Sequence, residues 1–392
     1  MPERAARAEL PPGATSGVPS IPTPDVSVVI TCYNYARYLP QAVATVLGQE
    51  GVDLELIIVD DVSTDDSLAV ARHLAAKDPR VSVVARKVNG GPVGAFNDGL
   101  ARVRGRAWVR LDADDLLTPG ALRRGLDVID AHPTIGMVYG RPLFFADADE
   151  LPPANLEVSR WSLWHGQDWL RGRCAAGTSV ISSVEVMVRT AATDEVGGMA
   201  PLRHTHDFEL WNRVAARWEV AHLDRVHQGY HRVHDASITR TEVNQTVDVR
   251  DRAEGFDTLF SSGVLHTEER ARLERDARAA VARQALTLSL HRWNRGNDDD
   301  DALRDAMRFA AAEYPPIRAT RDFAAAQRRL AAGTRTLPMR AGTLMLALRR
   351  AVRQNARFAA LRRYGVDDLA SLRRRRVVRP TPTQAPAAAT GT

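Results

Sequence analysis

Three carboxylates stand within four positions at Asp112, Asp114 and Asp115, directly after the strand-like run 108–111. Like charges this close raise one another's pKa unless a positive group lies among them. A divalent ion that also contacts phosphate would meet that need, because Mg²⁺ and Mn²⁺ take oxygen ligands. An isolated Asp-x-Asp also arises by chance in polar loops. The surrounding elements must therefore decide between the two interpretations.

Strands and helices alternate before this cluster. The residue patterns predict strands at 26–30, 54–59 and 81–84, and helices at 39–47, at 67–76 and after the glycine-rich segment 89–94. Such alternation predicts an α/β fold whose parallel sheet carries helices on both faces, with ligands at the carboxyl ends of the strands. Four polar residues fall at that edge: Thr31, Asp61, Asn89 and Asp112.

Beyond the cluster the pattern predicts a helix at 121–131, a strand at 136–139, a loop at 142–153, a strand at 178–188, a helix at 206–217 and a strand at 220–223. Trp161, Trp164 and Trp169 crowd the segment between this loop and the next strand. They are either core aromatics or a platform on which an acceptor sugar ring stacks, because tryptophan suits both roles. The sequence leaves the two open.

From residue 241 the chain is rich in Ala, Arg and Leu, with helical spacing at 250–290 and 301–330. A further helical stretch at 339–364 either covers the core or lies on an anionic membrane surface. Segments 1–24 and 373–392 contain few large apolar residues, and we predict that both are disordered.

Composition narrows the class of protein. The 392 residues carry 53 Lys plus Arg against 48 Asp plus Glu, a modest basic excess that does not favour nucleic-acid binding. Cys32 and Cys174 are the only cysteines, so neither a disulfide framework nor a zinc site is supported. The sequence contains no long apolar run, and we expect no secretory leader, because the first residues lack its apolar region. We expect a cytoplasmic protein, at most peripheral at the inner face of the membrane.

Five motifs occur in a fixed order: Val-Ser-Val-Val-Ile-Thr-Cys-Tyr-Asn at 26–34, Leu-Ile-Ile-Val-Asp-Asp-Val-Ser-Thr-Asp at 56–65, the Asn/Gly spacing at 89–99, Leu-Asp-Ala-Asp-Asp at 111–115 and His-Asp-Phe-Glu-Leu-Trp at 206–211. Together they resemble the inverting nucleotide-sugar glycosyltransferases of family 2. The resemblance covers residues 25–240. It implies a GT-A fold, which is Rossmann-like with a mixed, mainly parallel sheet flanked by helices. The helical spacing beyond it predicts a helical C-terminal region at 241–372.

The resemblance also implies the donor site. Asp61 would receive the base edge of the nucleotide, while Thr31, Tyr33 and Asn89 would line its pocket. Asp112 would contact the ribose or, alternatively, the metal. UDP is the default nucleotide of the family, and GDP and dTDP stay open.

By the same resemblance Asp114, with Asp112 and His234, would hold Mg²⁺ or Mn²⁺ against the diphosphate. Asp207 would be the general base that accepts the proton of the attacking hydroxyl. The acceptor is a glycan, a lipid-linked sugar or a small molecule. Two positions depart from the family pattern, since His206 stands where an acid is usual and Phe96 where an arginine is common.

Two other classes compete with this interpretation. The first is a catalytically silent GT-A domain that binds a nucleotide sugar or glycan as a scaffold, against which the intact acids at 112, 114 and 207 argue. The second is a nucleotidyltransferase, which would be expected to carry a glycine-rich basic loop after its first strand. The segment 31–37 contains no glycine.

Overall fold

The computed structural model describes residues 23–234, 245–294, 300–332, 359–361, 363–367 and 369–380. Residues 1–22 and 381–392 lie outside these ranges, so the predicted disorder of the two chain ends stays a prediction there. Most of the stretch 339–364 also lies outside them. Neither of its two predicted roles, covering the core or lying on a membrane surface, is therefore tested.

Ten strands are described, and their β-branched, apolar sequences explain why most of them are buried. They are β1 Val26–Cys32, β2 Leu54–Asp60, β3 Val81–Ala85, β4 Ala107–Asp112, β5 Leu116–Leu117, β6 Ile135–Phe145, β7 Trp161–Trp164, β8 Val186–Arg189, β9 Glu219–Arg232 and β10 Arg376–Val378.

The helices alternate with these strands and then continue alone. They are α1 Leu39–Leu47, α2 Ser67–Lys77, α3 Gly91–Leu100, α4 Ala121–Ala131, α5 Gly166–Ala176, α6 Thr190–Val196, α7 His206–Arg217, α8 Gln245–Ser261, α9 Thr267–Asn294, α10 Asp300–Glu313, α11 Arg321–Ala332 and α12 Leu369–Arg374.

All ten strands join one sheet in the order β10-β7-β9-β6-β8-β4-β1-β2-β3, with β5 paired to β9. Strands β3, β2, β1 and β4 are mutually parallel, and β6 is parallel to β9, while β8, β7, β5 and β10 pair antiparallel with their neighbours. The α/β fold predicted from the sequence, a mixed sheet flanked by helices, is thus confirmed.

Alternation along β1 divides the core between the two faces of the sheet. Val29 belongs to a cluster with Phe96 of α3 and Trp211 of α7. Val28 points the other way and belongs to a cluster with Val43 of α1 and Leu126 of α4. Because successive side chains of a strand face opposite sides, one apolar strand can pack against the helices on both faces of the sheet.

The C-terminal helices add a core of their own. Leu286 of α9 packs with Leu303 of α10 and Phe323 of α11 in a third buried cluster. Helix α9 also contacts α5 and α8, which ties this helical region to one face of the sheet.

The chain returns to the sheet after these helices. Tyr139 of β6 donates its hydroxyl proton to the carbonyl of Gly365 at 2.7 Å, and Trp164 Nε1 donates to the carbonyl of Ser371 at 2.8 Å. Gly365 has φ +68°, and a Cβ there would lie 2.3 Å from the His222 ring, so only glycine fits. Strand β10 then pairs with β7 at the edge of the sheet.

This return corrects the predicted disorder of 373–380, where α12 ends and β10 forms. Two other predictions were partly wrong. Strand β6 extends through Phe145 into the predicted loop, because β9 pairs with it over that length. The predicted strand 178–188 is a strand only from Val186, because a 3₁₀ turn at Ser183–Glu185 precedes it.

The helices of the described ranges include none that is both long and apolar enough to cross a lipid bilayer.

Arg173 of α5 is fully buried, and its Nη1 donates to Asp367 Oδ1 at 2.8 Å; Thr178 donates to the other carboxylate oxygen at 2.9 Å. We expect Asp367→Asn to lower the free energy of unfolding by about 3 kcal/mol or more, because a buried guanidinium would lose its anionic partner. Chemical denaturation measures this.

Asp127→Asn is the matched control. Asp127 pairs with Arg123 on the surface of α4 with 60% of its side chain exposed, and such pairs contribute about 1 kcal/mol or less. Equal losses of unfolding free energy in the two variants would contradict the role assigned to Asp367, which is to hold the returning chain against α5 through Arg173.

Candidate active site

The site forms where β1, β2 and β4 end. Because β1 is parallel to both neighbours, Thr31 pairs in register with Asp112 of β4, and Cys32 pairs with Asp60 of β2. The Thr31 hydroxyl donates to Asp112 Oδ1 at 3.3 Å. The predicted meeting of Thr31, Asp61 and Asp112 at one edge therefore follows directly from strand direction.

Two acids of the cluster are paired with histidines from the end of β9. Asp114 Oδ2 lies 2.9 Å from His234 Nε2, and Asp115 Oδ2 lies 3.0 Å from His231 Nδ1. The backbone N–H of Arg232 also donates to Asp115 Oδ1 at 2.8 Å. Strand β9 therefore brings positively charged or proton-donating groups to the cluster from a point more than a hundred residues away in sequence.

Burial and charge oppose each other in these pairs. Burial, and then the neighbouring Asp112, raise the pKa of Asp114. Burial also raises the pKa of Asp115 to about 6. Burial alone would lower the pKa of His231, but the hydrogen bond and charge of Asp115 outweigh it and raise that pKa to about 9. At neutral pH Asp115 and His231 thus form an ion pair.

Asp112 has a different partner. Arg110 lies two residues earlier on β4 and donates from Nη2 to Asp112 Oδ1 at 2.6 Å. The protein itself therefore supplies partners for two of the crowded acids, Arg110 for Asp112 and His231 for Asp115.

Residues of the loop after β3 hold Asp61 in place. The Arg86 guanidinium and the backbone N–H of Gly90, at 3.0 Å, both donate to Asp61 Oδ1. Asn89 Nδ2 donates to the Asp61 carbonyl at 2.9 Å, so Asn89 fixes the backbone of this loop. Tyr33 lies on the loop after β1 and is 46% exposed, which leaves its ring free to meet a ligand.

The loops after β1 and β2 are joined to each other. Asn34 Oδ1 accepts from the backbone N–H of Thr64 at 2.7 Å, and Ser63 Oγ accepts from the N–H of Asn34 at 3.1 Å. Asn34 has φ 60°, a left-handed conformation that asparagine tolerates. Val62, next to Asp61, also has a positive φ of 64°, which is unusual for a β-branched residue.

Asp207 lies in the first turn of α7, partly buried. Ser183 Oγ donates to Asp207 Oδ2 at 3.2 Å, and Arg110 Nη1 donates to the same serine oxygen at 3.1 Å. Asp207 is thereby connected to Asp112 through two side chains that the sequence did not single out. The neighbouring His206 is buried, and burial followed by the charge of Arg110 lowers its pKa.

The acids at the strand end suit a hard divalent ion in chemical type, because Asp112 and Asp114 offer carboxylate oxygens and His234 an imidazole nitrogen. Asp114 and His234 lie together, whereas Asp112 faces Arg110. Within the described part of the chain, no three His, Cys, Asp or Glu side chains are already grouped as a metal site. The set fits a metal, provided that the ion replaces existing protein contacts.

The proposed acceptor platform is corrected by the structure. Trp161, Trp164 and Trp169 are at most 6% exposed and pack in the core, so their faces are covered by protein. A different aromatic side chain, Phe144 of β6, is 62% exposed and stands edge-on to His231 with ring centroids 5.6 Å apart.

Arg110 and Ser183 are the functional candidates that sequence reasoning missed. A signal for Arg110 was present, since it interrupts an apolar strand and its two-residue spacing puts it on the same face as Asp112. No such signal marks Ser183, because its position depends on how the turn after α5 folds back against β4.

The geometry can be compared with known proteins. The family model described as Glycosyl transferase family 2 matches residues 27–206. Residues 27–206 belong to glycosyl transferase family 2. This segment contains three of the five sequence motifs in full and all but Val26 of the first, and it ends at His206, the first residue of the fifth.

Curated relatives match this chain over shorter stretches than the family model does. The succinoglycan biosynthesis protein ExoO of Rhizobium meliloti is 43% identical over 108 residues, covering 28% of this chain and 30% of that protein. An uncharacterized glycosyltransferase of Nostoc is 40% identical over 114 residues, covering 29% and 35%. The chain thus spans about a third of the length of these relatives.

Two solved structures are similar to this chain in fold over most of its length. The crystal structure of residues 1–349 of TarS from S. aureus has a TM-score of 0.52 at 15% identity, covering 74% of this chain and 81% of that one. The same TarS segment in complex with UDP-GlcNAc has a TM-score of 0.51 at 15% identity, with 78% and 88% covered. At this identity the likeness concerns the fold alone.

The left-handed Val62 gives a stability prediction. Its backbone is fixed on both sides, since Ser63 N donates to Asp60 Oδ2 at 3.2 Å and Asp61 N donates to the Cys32 carbonyl at 2.9 Å. We expect Val62→Asn to raise the free energy of unfolding by about 1 kcal/mol, because asparagine adopts this conformation with less strain. Thermal and chemical unfolding measure the change.

Val88→Asn is the control, because Val88 is 74% exposed and lies outside the left-handed region. It should change stability by no more than about 0.5 kcal/mol. A Val62→Asn variant that is less stable than the parent would show that the valine side chain, not the backbone conformation, dominates at this position.

Proposed function

We propose that the chain is a metal-dependent, inverting glycosyltransferase that moves a sugar from a nucleoside-diphosphate sugar, first of all a UDP-sugar, to a hydroxyl of an acceptor glycan. The observation that carries the proposal is the connection of Asp112, at the end of β4, to Asp207 through Arg110 and Ser183. It links a donor-side carboxylate to a candidate base. The name of the relative ExoO supports a glycan as the acceptor.

The donor nucleotide would bind against the loops after β1, β2 and β3. Asp61 would accept a hydrogen bond from the base edge, and its orientation is already fixed by Arg86 and Gly90. Tyr33 would pack against the base with its exposed ring. Thr31, at the end of β1, would line the ribose side, and Asn89 would act by holding the loop backbone.

The diphosphate would lie at the end of β4. Asp114 and Asp112 would hold Mg²⁺ or Mn²⁺ there, with His234 beside Asp114. When bound, the ion would neutralise the negative charge that develops on the leaving diphosphate. His231 and the backbone of Arg232 keep Asp115 in place behind this site, so that the loop carrying Asp114 is rigid.

Asp207 would act as the general base. An acceptor oxygen attacks the anomeric carbon on the face opposite the diphosphate, the new C–O bond forms as the old one breaks, and Asp207 takes the hydroxyl proton. Attack from the opposite face inverts the configuration at that carbon. In this scheme the nucleoside diphosphate leaves with the bonding electron pair.

Removal of the base carboxylate tests the activity. With UDP-, GDP- and dTDP-sugars as donors and water or added glycans as acceptors, we expect Asp207→Asn to slow release of the nucleoside diphosphate by about 10²- to 10⁴-fold. Calorimetry should give the same nucleotide affinity as for the parent, because Asp207 is assigned to the acceptor side.

Asp127→Asn serves as the control for loss of a carboxylate, because Asp127 lies exposed on α4 outside the site, and it should keep the parent rate. A parent protein that binds a nucleotide sugar yet releases no nucleoside diphosphate from any donor would contradict the enzyme and favour the silent binding scaffold.

A further inference from the structure

Arg110 is a buried cation in an otherwise apolar strand. Only 5% of it is exposed, and its neighbours Val109 and Leu111 are buried among the core residues on the opposite side of the strand. A buried arginine is costly unless its guanidinium finds several hydrogen-bond partners. The partners that it has therefore indicate why the sequence places a charge here.

The guanidinium joins two carboxylates that belong to different elements. Nη2 donates to Asp112 Oδ1 at 2.6 Å, and Nη1 donates to Ser183 Oγ at 3.1 Å. Ser183 in turn donates a hydrogen bond from its hydroxyl to Asp207 Oδ2, which lies 3.2 Å from Ser183 Oγ and can only accept. The chain of donors runs in one direction, from Arg110 through Ser183 to Asp207.

Ser183 and Asp207, the last two members of this chain, are both fixed by contacts of their own. Ser183 belongs to a buried 3₁₀ turn whose start is capped, since the backbone N–H of Ser182 donates to Glu185 Oε1 at 2.9 Å. The second oxygen of Asp207 accepts from the backbone N–H of Phe208 at 2.6 Å. With each oxygen held by a donor, the Asp207 carboxylate is restricted to one orientation.

We propose that Arg110 is a positioning residue that acts on Asp207 through the Ser183 hydroxyl. It sets the orientation of the base and its spacing from Asp112, and its charge offsets the repulsion between the two acids. This inference rests on the proposed function and deepens it, because it joins the donor side and the acceptor side of the site in one hydrogen-bonded unit.

A double-mutant cycle tests the proposal. Arg110→Gln, Ser183→Ala and the double variant are assayed for nucleoside diphosphate release from the donor that the parent uses, and for UDP affinity by calorimetry. We expect Ser183→Ala to lower kcat by about 10- to 100-fold, because a misdirected base loses alignment with its proton, while UDP affinity stays at the parent value.

The double variant should be no slower than the slower single variant, because residues that act through one another are not additive. Arg110→Lys keeps a positive donor and should recover part of the loss seen in Arg110→Gln. Ser179→Ala, a loss of an exposed hydroxyl a few residues away, should keep the parent kcat. Thermal unfolding of each variant separates a local effect from a loss of fold.

Three results would overturn the proposal: full activity in Ser183→Ala, multiplicative effects in the double variant, or a fall in kcat of Ser183→Ala that is matched by an equal fall in its UDP affinity. A parent that releases no nucleoside diphosphate from any donor would instead overturn the proposed function, and this inference with it. The two failures are therefore distinguishable.

Discussion

Charge compensation at the carboxyl edge of the sheet is the constraint on which the site depends. Asp112, Asp114 and Asp115 lie within four residues, and each is held by a cation or proton donor of the protein. Arg110 comes from the same strand as Asp112, whereas His231 lies near the end of β9 and His234 follows that strand by two residues. Mixed strand directions make this possible, because β9 ends beside the loop that follows β4.

The parallel half of the sheet was predictable from the sequence because it depends on local patterns. Apolar runs near 26, 54 and 107 specify neighbouring strands, and parallel strands must end at one edge. The meeting of Thr31, Asp61 and Asp112 follows from this alone. Whether Asn89 and Tyr33 contact a nucleotide stays a prediction, since Asn89 holds the loop backbone in the protein alone.

Contacts between distant segments were not predictable in the same way. Ser183 reaches Asp207 only because a capped turn replaces the strand expected at 178–188. Strand β10 pairs with β7 across more than two hundred residues, so a segment that looks like a basic tail is ordered by its partner. The tryptophans do not form an acceptor platform for a related reason. The helices after residue 241 and the returning chain help to bury them, and a local motif does not reveal such long-range contacts.

We propose that these acids exchange their protein partners for a metal and a diphosphate when the donor binds. Calorimetry of UDP, GDP and dTDP with the parent and with an Asp112→Ala, Asp114→Ala double variant, in Mn²⁺ and in chelator, tests it most directly. We expect one nucleotide to bind the parent about tenfold or more tightly with Mn²⁺, and this gain to vanish in the double variant. Equal affinities with metal, with chelator and in the double variant would contradict the account.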